Sequence, residues 1–99
     1  MRYIILFEDN PKADPDVRAR LMAAHLAFLA AERIIAAGPL REPGGKPAGG
    51  IWLLDAESPE RVEALIRADP FWPTGLRKFW RVLEWNCVFA DGHRLIVKG

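Results

Sequence analysis

The sequence contains very few of the residues that form disulfides or bind metals. Its 99 residues include one cysteine, Cys87, so no disulfide can form within the chain, and two histidines, His25 and His93. Histidines this far apart lack the spacing of a metal site, and we therefore predict no metal. Because the N-terminal residues also lack the basic segment, apolar run and cleavage site of a signal peptide, a reducing cytoplasm is the expected compartment.

Long apolar runs and an excess of one charge are missing too. The longest uncharged apolar run near the N-terminus covers residues 3–7, whereas a membrane-spanning helix needs roughly 20 residues. Lysine and arginine total 14 against 13 aspartates and glutamates, and the two signs are interspersed. Without a basic stripe, the four tryptophans are better explained as core, pocket-wall or dimer-contact residues than as base-stacking platforms. We expect neither a membrane nor a nucleic acid as partner.

The sequence does contain alternating strand and helix patterns within a single domain, residues 1–99. The chain is 51% hydrophobic, which supplies one core, but it is too short for two. Runs of β-branched and aromatic residues predict strands, and a proline after each of the capping residues Asp14 and Ser58 predicts the starts of two helices. The predicted elements are a strand over residues 2–8, a helix over 15–32, a strand over 33–40, a strand over 51–55, a helix over 59–68, a long strand over 78–89 and a short returning strand over 94–98.

Residues 33–40 allow two interpretations. They can prolong the first helix to a C-cap at Gly38, or form a second strand that begins near Arg33. We favour the strand, because paired isoleucines followed by Gly38 and Pro39 suit a strand at the edge of a sheet. The glycine- and proline-rich residues 42–50 then form a hairpin loop or, alternatively, a lid.

This order of elements predicts an α+β fold of the ferredoxin-like type, βαββαβ, with an extra C-terminal strand. Its two helices cover only one face of the sheet. The first and third strands nevertheless have large apolar residues on both faces, among them Ile4, Leu6 and Trp52. Leaving several such side chains in water is costly at about 25 cal/mol per Å². We therefore expect a homodimer in which the two sheets face each other.

The first helix carries the first candidate for chemistry, His25. At about 100° per residue, Val17, Leu21, Ala24 and Phe28 form an apolar stripe, and His25 lies at its edge. An imidazole in such a position can reach a pocket and exchange a proton near neutral pH. The alternative is a boundary histidine that donates to a backbone carbonyl or to a nearby glutamate.

Several short motifs together resemble the YCII-related (YciI-like) family over nearly the whole chain. They are the opening residues 1–7, the helix with His25, the segment 37–40 and the turn 68–71. The resemblance implies a dimeric α/β barrel of ferredoxin-like protomers, with a pocket in which a histidine and an aspartate act together. By motif these are His25 and Asp69. Family members often have a glycine where the first helix ends, whereas residues 31–33 here contain none.

Asp69 also has a purely local interpretation, because Asp-Pro is a common pair at the start of a helical turn. The two roles are compatible, since a carboxylate fixed in a turn can orient an imidazole and raise its basicity. Phe71 and Trp72 adjoin Asp69 and are candidate pocket walls. Together with Gly38 and Pro39 they are the residues that we expect to contact a substrate.

A small basic cluster follows the same turn. It consists of Arg77, Lys78 and Arg81. It either meets an anionic substrate or forms a solvated face of the protein.

Two classes of function are compatible with these residues. The first is a cofactor-independent small-molecule enzyme, such as a lyase, an isomerase or a dehydrochlorinase-like enzyme, with His25 as general acid or base and Asp69 as its orienting partner. Related dimeric barrels also include cofactor-free oxygenases. The second class is a non-catalytic dimeric module that binds a small ligand or a partner protein. The sequence has no serine or cysteine in a recognisable nucleophile motif, so acyl transfer is not favoured.

Overall fold

The computed structural model describes residues 1–95 of the chain. Its elements in chain order are β1 (Arg2–Asp9), α1 (Val17–Ala31), β2 (Ala36–Arg41), β3 (Pro47–Asp55), α2 (Pro59–Ala68), a short 3₁₀ helix (Trp72–Thr74), β4 (Arg77–Glu84), β5 (Phe89–Ala90) and β6 (His93–Arg94). The four long strands form one antiparallel sheet in the order β2-β3-β1-β4. This topology confirms the predicted ferredoxin-like α+β protomer.

The core lies between this sheet and the two helices. Along β1, Tyr3, Ile5 and Phe7 are buried, whereas the alternate residues Ile4 and Leu6 are only half-buried. This alternation places every second side chain of β1 on the helix-covered face. Five further buried residues from β3 and α2 complete the main cluster: Trp52, Leu54, Val62, Leu65 and Ile66.

The start of α1 differs from the prediction. The helix begins at Val17, and Asp14 does not cap it. Instead, the Asp14 side chain accepts a hydrogen bond from the Asp16 N–H at 2.9 Å, and the Asp14 carbonyl accepts one from the Val17 N–H at 3.1 Å. These bonds close a turn ahead of the helix, so Pro15 lies in that turn and not in the first helical position. α2, by contrast, begins as predicted, with the Ser58 hydroxyl accepting the Arg61 N–H at 3.1 Å.

His25 lies in the middle of the buried face of α1, not at its edge as predicted. Val17, Leu21, His25 and Leu29 form a row of half-buried or buried side chains. Arg18, Met22 and Phe28 beside this row are also half-buried, while Ala24 is exposed. Residues four apart on a helix form such a row. Alanines occur on all sides of the helix, so the apolar pattern marks the buried face poorly. Neither helix in the described part of the chain combines the length and apolar character that a membrane crossing requires.

Arg33 ends the first helical segment in a left-handed conformation, with φ of 57°. Its N–H donates to the Ala30 carbonyl at 3.2 Å, and the next N–H, of Ile34, donates to the Leu29 carbonyl at 3.0 Å. A glycine is favoured in such a C-terminal turn. Here an arginine adopts the conformation instead. β2 therefore begins at Ala36, three residues later than predicted, and the strand interpretation of this segment is confirmed.

β4 is shorter than predicted, because it ends at Glu84 and not at Phe89. β4 pairs with β1, and the Trp85 N–H makes a last bond to the Arg2 carbonyl at 2.8 Å. β1 begins at Arg2, so the pairing with β1 ends at this point. The predicted long strand is thereby divided into β4 and β5.

The C-terminal residues that follow form a separate hairpin of β5 and β6. Asp91 and Gly92 make its turn, as predicted, with φ of 53° and 78°. The returning strand was predicted over residues 94–98. The structure has β6 at His93–Arg94, and residues 96–98 of the prediction lie outside the described residues.

Candidate active site

Asp69 occupies a turn that fixes its carboxylate. Its N–H donates to the Leu65 carbonyl at 3.2 Å and so ends α2, and Pro70 follows. The side-chain Oδ1 accepts the Phe71 N–H at 3.0 Å, and the Asp69 carbonyl accepts the Trp72 N–H at 2.8 Å. Asp69 thus organises the 3₁₀ turn that follows it, which is the local role expected from the sequence.

The same carboxylate contacts His25 from α1. Asp69 Oδ1 lies 2.8 Å from His25 Nδ1, although the two residues are 44 positions apart in the sequence. Both are buried, with relative exposures of 1% and 7%. Because the carboxylate accepts, Nδ1 carries the proton, and the lone pair of the neutral ring is on Nε2. The imidazole also stacks on the Phe71 ring, with centroids 4.1 Å apart, so its plane is held from one side.

Arg77, which the sequence placed only in a basic cluster, is a third member of this arrangement. Its Nη1 donates to Asp69 Oδ2 at 2.8 Å, and its guanidinium carbon lies 4.0 Å from the centroid of the Phe7 ring. The other two members of the predicted basic cluster, Lys78 and Arg81, are exposed. The cluster is therefore neither wholly a solvated face nor wholly part of a site.

Arg77 turns inward because of a β-bulge. On β4, Trp80 packs against the core and Phe79 is exposed, so strict alternation would also place Arg77 on the exposed face. The register between β1 and β4 shifts between Glu8 and Asp9, and Asp9 pairs with Arg77. An extra residue in one strand reverses the side-chain direction beyond it. Neither periodicity nor composition indicates this bulge.

Burial and hydrogen bonding oppose each other at the two charged groups. Burial raises the pKa of Asp69. The hydrogen bonds from His25 and the Phe71 N–H and the nearby charge of Arg77 lower it by a larger amount, so the resulting pKa lies below the usual value. Burial disfavours the charged form of Arg77 too, and so lowers its pKa, while the charge of Asp69 and the hydrogen bond to it offset part of that decrease. An arginine remains a cation at neutral pH. The ionised pair is thus the resting state of the site.

A cavity of about 140 Å³ adjoins this network. Four of its lining residues are charged or titratable: Arg18 and His25 from α1, Arg77 from β4 and Asp9 from β1. The other lining residues are mostly apolar or glycine: Phe7, Met22, Leu26, Leu29, Ala37, Gly38, Pro39, Gly50, Ile51 and Trp52.

Of the four residues expected to contact a substrate, two line this cavity and two do not. Gly38 and Pro39 line it. Phe71 lies behind His25, and Trp72 packs edge-on against Trp80 with ring centroids 4.9 Å apart, so neither belongs to the lining. Arg18 and Asp9, which the sequence did not indicate, form an ion pair of 2.8 Å beside the cavity.

Among residues 1–95, no three side chains of histidine, cysteine, aspartate or glutamate come close enough to hold a metal ion. His93 lies exposed in the C-terminal hairpin. The side chains around the cavity therefore offer proton transfer, hydrogen bonding and positive charge as their chemistry.

Comparison with known proteins identifies a family and similar solved structures. The model of the YCII-related domain matches residues 1–86. The 5-chloro-2-hydroxyhydroquinone dehydrochlorinase (TftG) from Burkholderia phenoliruptrix AC1100, solved with 2,5-dihydroxybenzoquinone, is 30% identical, with a TM-score of 0.74 over 87% of this chain and 94% of that one. The protein At3g17210 from Arabidopsis thaliana is 15% identical, with a TM-score of 0.48 over 91% of this chain and 97% of that one. No curated protein sequence matches significantly.

Proposed function

Because this chain belongs to the YCII-related family, we propose that it is a cofactor-independent small-molecule enzyme in which His25 transfers a proton and Asp69 orients it. The observation that carries the proposal is the 2.8 Å contact between His25 Nδ1 and a carboxylate that is itself held by two further donors, the Phe71 N–H and Arg77 Nη1. An exposed histidine paired with an exposed carboxylate would not require a carboxylate fixed by other hydrogen bonds. The cytoplasm remains the expected compartment, on the sequence argument alone.

The hydrogen bond assigns the two ring nitrogens to different tasks. Nδ1 donates to Asp69, so Nε2 is the atom that can accept a proton. In the described residues Nε2 has no hydrogen-bond partner, yet no buried polar side-chain atom is left unsatisfied, so Nε2 retains access to solvent. His25 also lines the cavity. A substrate there would present its acidic proton to Nε2, and the carboxylate would stabilise the imidazolium that forms.

The size and walls of the cavity favour a substrate with one ring. An apolar cavity of about 150 Å³ in another protein accepts benzene, and the volume here is about 140 Å³. The Burkholderia relative is a dehydrochlorinase of a chlorinated hydroxyhydroquinone. For this chain we propose the same class of reaction. The ring first tautomerises, so that the carbon bearing chlorine gains a proton from a ring hydroxyl; a second hydroxyl proton then passes to His25 as the C–Cl bond breaks and a quinone forms. Chloride and, from His25, the proton leave to solvent, so the overall change is loss of HCl. No electrons are gained or lost overall, so the reaction needs no redox cofactor.

The proposal includes a homodimer of the α/β barrel type. Six apolar side chains lie on the face of the sheet that the helices leave open: Ile4, Leu6, Ile51, Leu53, Phe79 and Leu83. A contiguous apolar patch of this kind favours association. Trp52, which the sequence left as a candidate for this face, is buried in the protomer core, whereas Leu6 lies on the open face.

Release of chloride from 5-chloro-2-hydroxyhydroquinone tests the proposed activity. We expect turnover by the wild-type protein and a loss of about 10²- to 10⁴-fold in kcat for His25→Gln. The matched control is His93→Gln, because His93 is exposed in the hairpin and outside the cavity lining. If His25→Gln turns over like the wild type, the acid-base role is wrong. If the wild type binds 2,5-dihydroxybenzoquinone but no chlorinated ring reacts, the non-catalytic binding module becomes the better description.

A further inference from the structure

Two arginines line the cavity, but their charges are compensated in different ways. Arg77 is paired with Asp69, and both side chains are almost inaccessible, at 7% and 0% exposed. Arg18 is paired with Asp9, and these side chains are 38% and 31% exposed. Replacing Asp69 would leave a buried cation alone, whereas an accessible ion pair contributes only about 0–1 kcal/mol and opens easily. Arg18 is therefore the cation that can change partner.

Arg18 also lies on the same side of the cavity as His25. The two residues are seven positions apart on α1, which places them on one face of the helix, about 10 Å apart along its axis. Both contact the same ring, since the Arg18 guanidinium carbon lies 5.9 Å from the centroid of Phe71 and the imidazole stacks on that ring. A one-ring molecule between them would meet the guanidinium at one end and Nε2 at the other.

We propose that Arg18 is the specificity residue of the cavity, and that it exchanges Asp9 for an ionised oxygen of a planar, one-ring substrate such as a phenolate or the enolate of a hydroxyquinone. This inference rests on the proposed function for the identity of the site. The guanidinium has five donors in a fixed plane and suits a pair of oxygens on one edge of a ring. Of these donors, only Nη2 is engaged by Asp9 in the described residues.

The exchange explains why, in the described part of the chain, the one carboxylate of the cavity lining lies beside Arg18. Without a ligand, Asp9 neutralises the guanidinium and keeps it near the cavity. With an anion bound, Asp9 is released toward solvent, to which it is already partly exposed. A neutral ring offers no charge to replace that of Asp9, so the cavity discriminates by charge as well as by shape.

Calorimetric titration with two probes tests this role. 2,5-Dihydroxybenzoquinone is ionised at neutral pH because its hydroxyls are vinylogous acids, and 2,5-dimethoxybenzoquinone has the same ring without an ionisable group. We expect Arg18→Met to weaken binding of the first probe at least tenfold, about 1.4 kcal/mol, with less than a twofold change for the second. Arg18→Lys should retain part of the affinity. The control is Arg20→Met, since Arg20 lies outside the cavity lining and pairs with Asp14.

Asp9→Asn tests the exchange itself. Removing the competing carboxylate should tighten binding of 2,5-dihydroxybenzoquinone, and an equal loss in Asp9→Asn and Arg18→Met would overturn the exchange. The inference is also overturned if Arg18→Met binds both probes like the wild type, if it loses affinity for both equally, or if the wild type binds neither. His25→Gln separates the two proposals: unchanged probe binding with unchanged turnover would remove the acid-base role and leave the anion site intact.

Discussion

Asp69 and Arg77 form the most enclosed ion pair among residues 1–95, with Oδ2 2.8 Å from Nη1 and side chains that are 0% and 7% exposed. Water can replace neither partner, so each group depends on the other for compensation of its charge. The other oxygen of the same carboxylate binds His25. A substitution at Arg77 is therefore expected to affect His25 through the Asp69 carboxylate, which contacts both.

Arg77→Met should lower the free energy of unfolding by about 3–5 kcal/mol, because it leaves the Asp69 charge buried without its partner. The double variant with Arg77→Met and Asp69→Asn should lose less unfolding free energy than the two single variants lose in sum, since it has no unpaired charge. Urea denaturation of the four proteins measures this coupling. The control is Lys78→Met, which removes an exposed cation from the next position and should cost no more than about 0.5 kcal/mol. Additive effects at Asp69 and Arg77 would contradict the coupling.

The lowered pKa of Asp69 predicts a loss of stability in acid. The folded-state pKa lies below the unfolded value of about 3.9, so the contribution of the ionised carboxylate is complete above that value and disappears as the pH falls through the folded-state pKa. We expect the difference in unfolding free energy between the wild type and Asp69→Asn to shrink as the pH falls below about 4. A difference that does not change with pH would show that Asp69 titrates alike in both states.

Leu6→Lys should convert the proposed dimer into a folded monomer at micromolar concentration. Leu6 lies in the middle of the open face, opposite Ile51 and Arg81, so a lysine there adds a charge beside an existing cation. Sedimentation velocity should give about twice the chain mass for the wild type and the chain mass for the variant. Ala30→Lys is the control, because Ala30 is exposed on α1 and outside the open face. A wild-type monomer would contradict the barrel.

Gly49→Ala should destabilise the protein by at least about 2 kcal/mol. Gly49 has φ of +90°, and a Cβ atom there would overlap the backbone carbonyl of Phe7 in β1. At Gly44, in the loop that precedes β3, an added Cβ atom would meet nothing within 4 Å. Gly44→Ala should therefore change the unfolding free energy by less than about 0.5 kcal/mol. Thermal denaturation of the pair distinguishes the local requirement at Gly49 in β3 from a general need for glycine in this part of the chain.

The elements of this fold are largely predictable because they depend on neighbours in the sequence. Ser58 and Pro59 define the start of α2, and Asp69 and Pro70 define the turn after it, since a cap needs only a donor two or three residues away. The order of strands and helices follows from the same local signals. The cap at Asp14 failed for a related reason, because that side chain finds a nearer donor at Asp16.

The candidate site could be predicted only in part, because its contacts join distant residues. Periodicity placed His25 at the edge of α1, and only the resemblance to a family linked it to Asp69. Arg77 was predicted only as part of a basic cluster and was not linked to Asp69, because a bulge, and not the residue pattern, turns it inward. The sequence by itself determined the strands, the helices and the local turn around Asp69. The tertiary structure decided that one carboxylate holds both an imidazole and a guanidinium, because burial removes the water that would otherwise satisfy each of them.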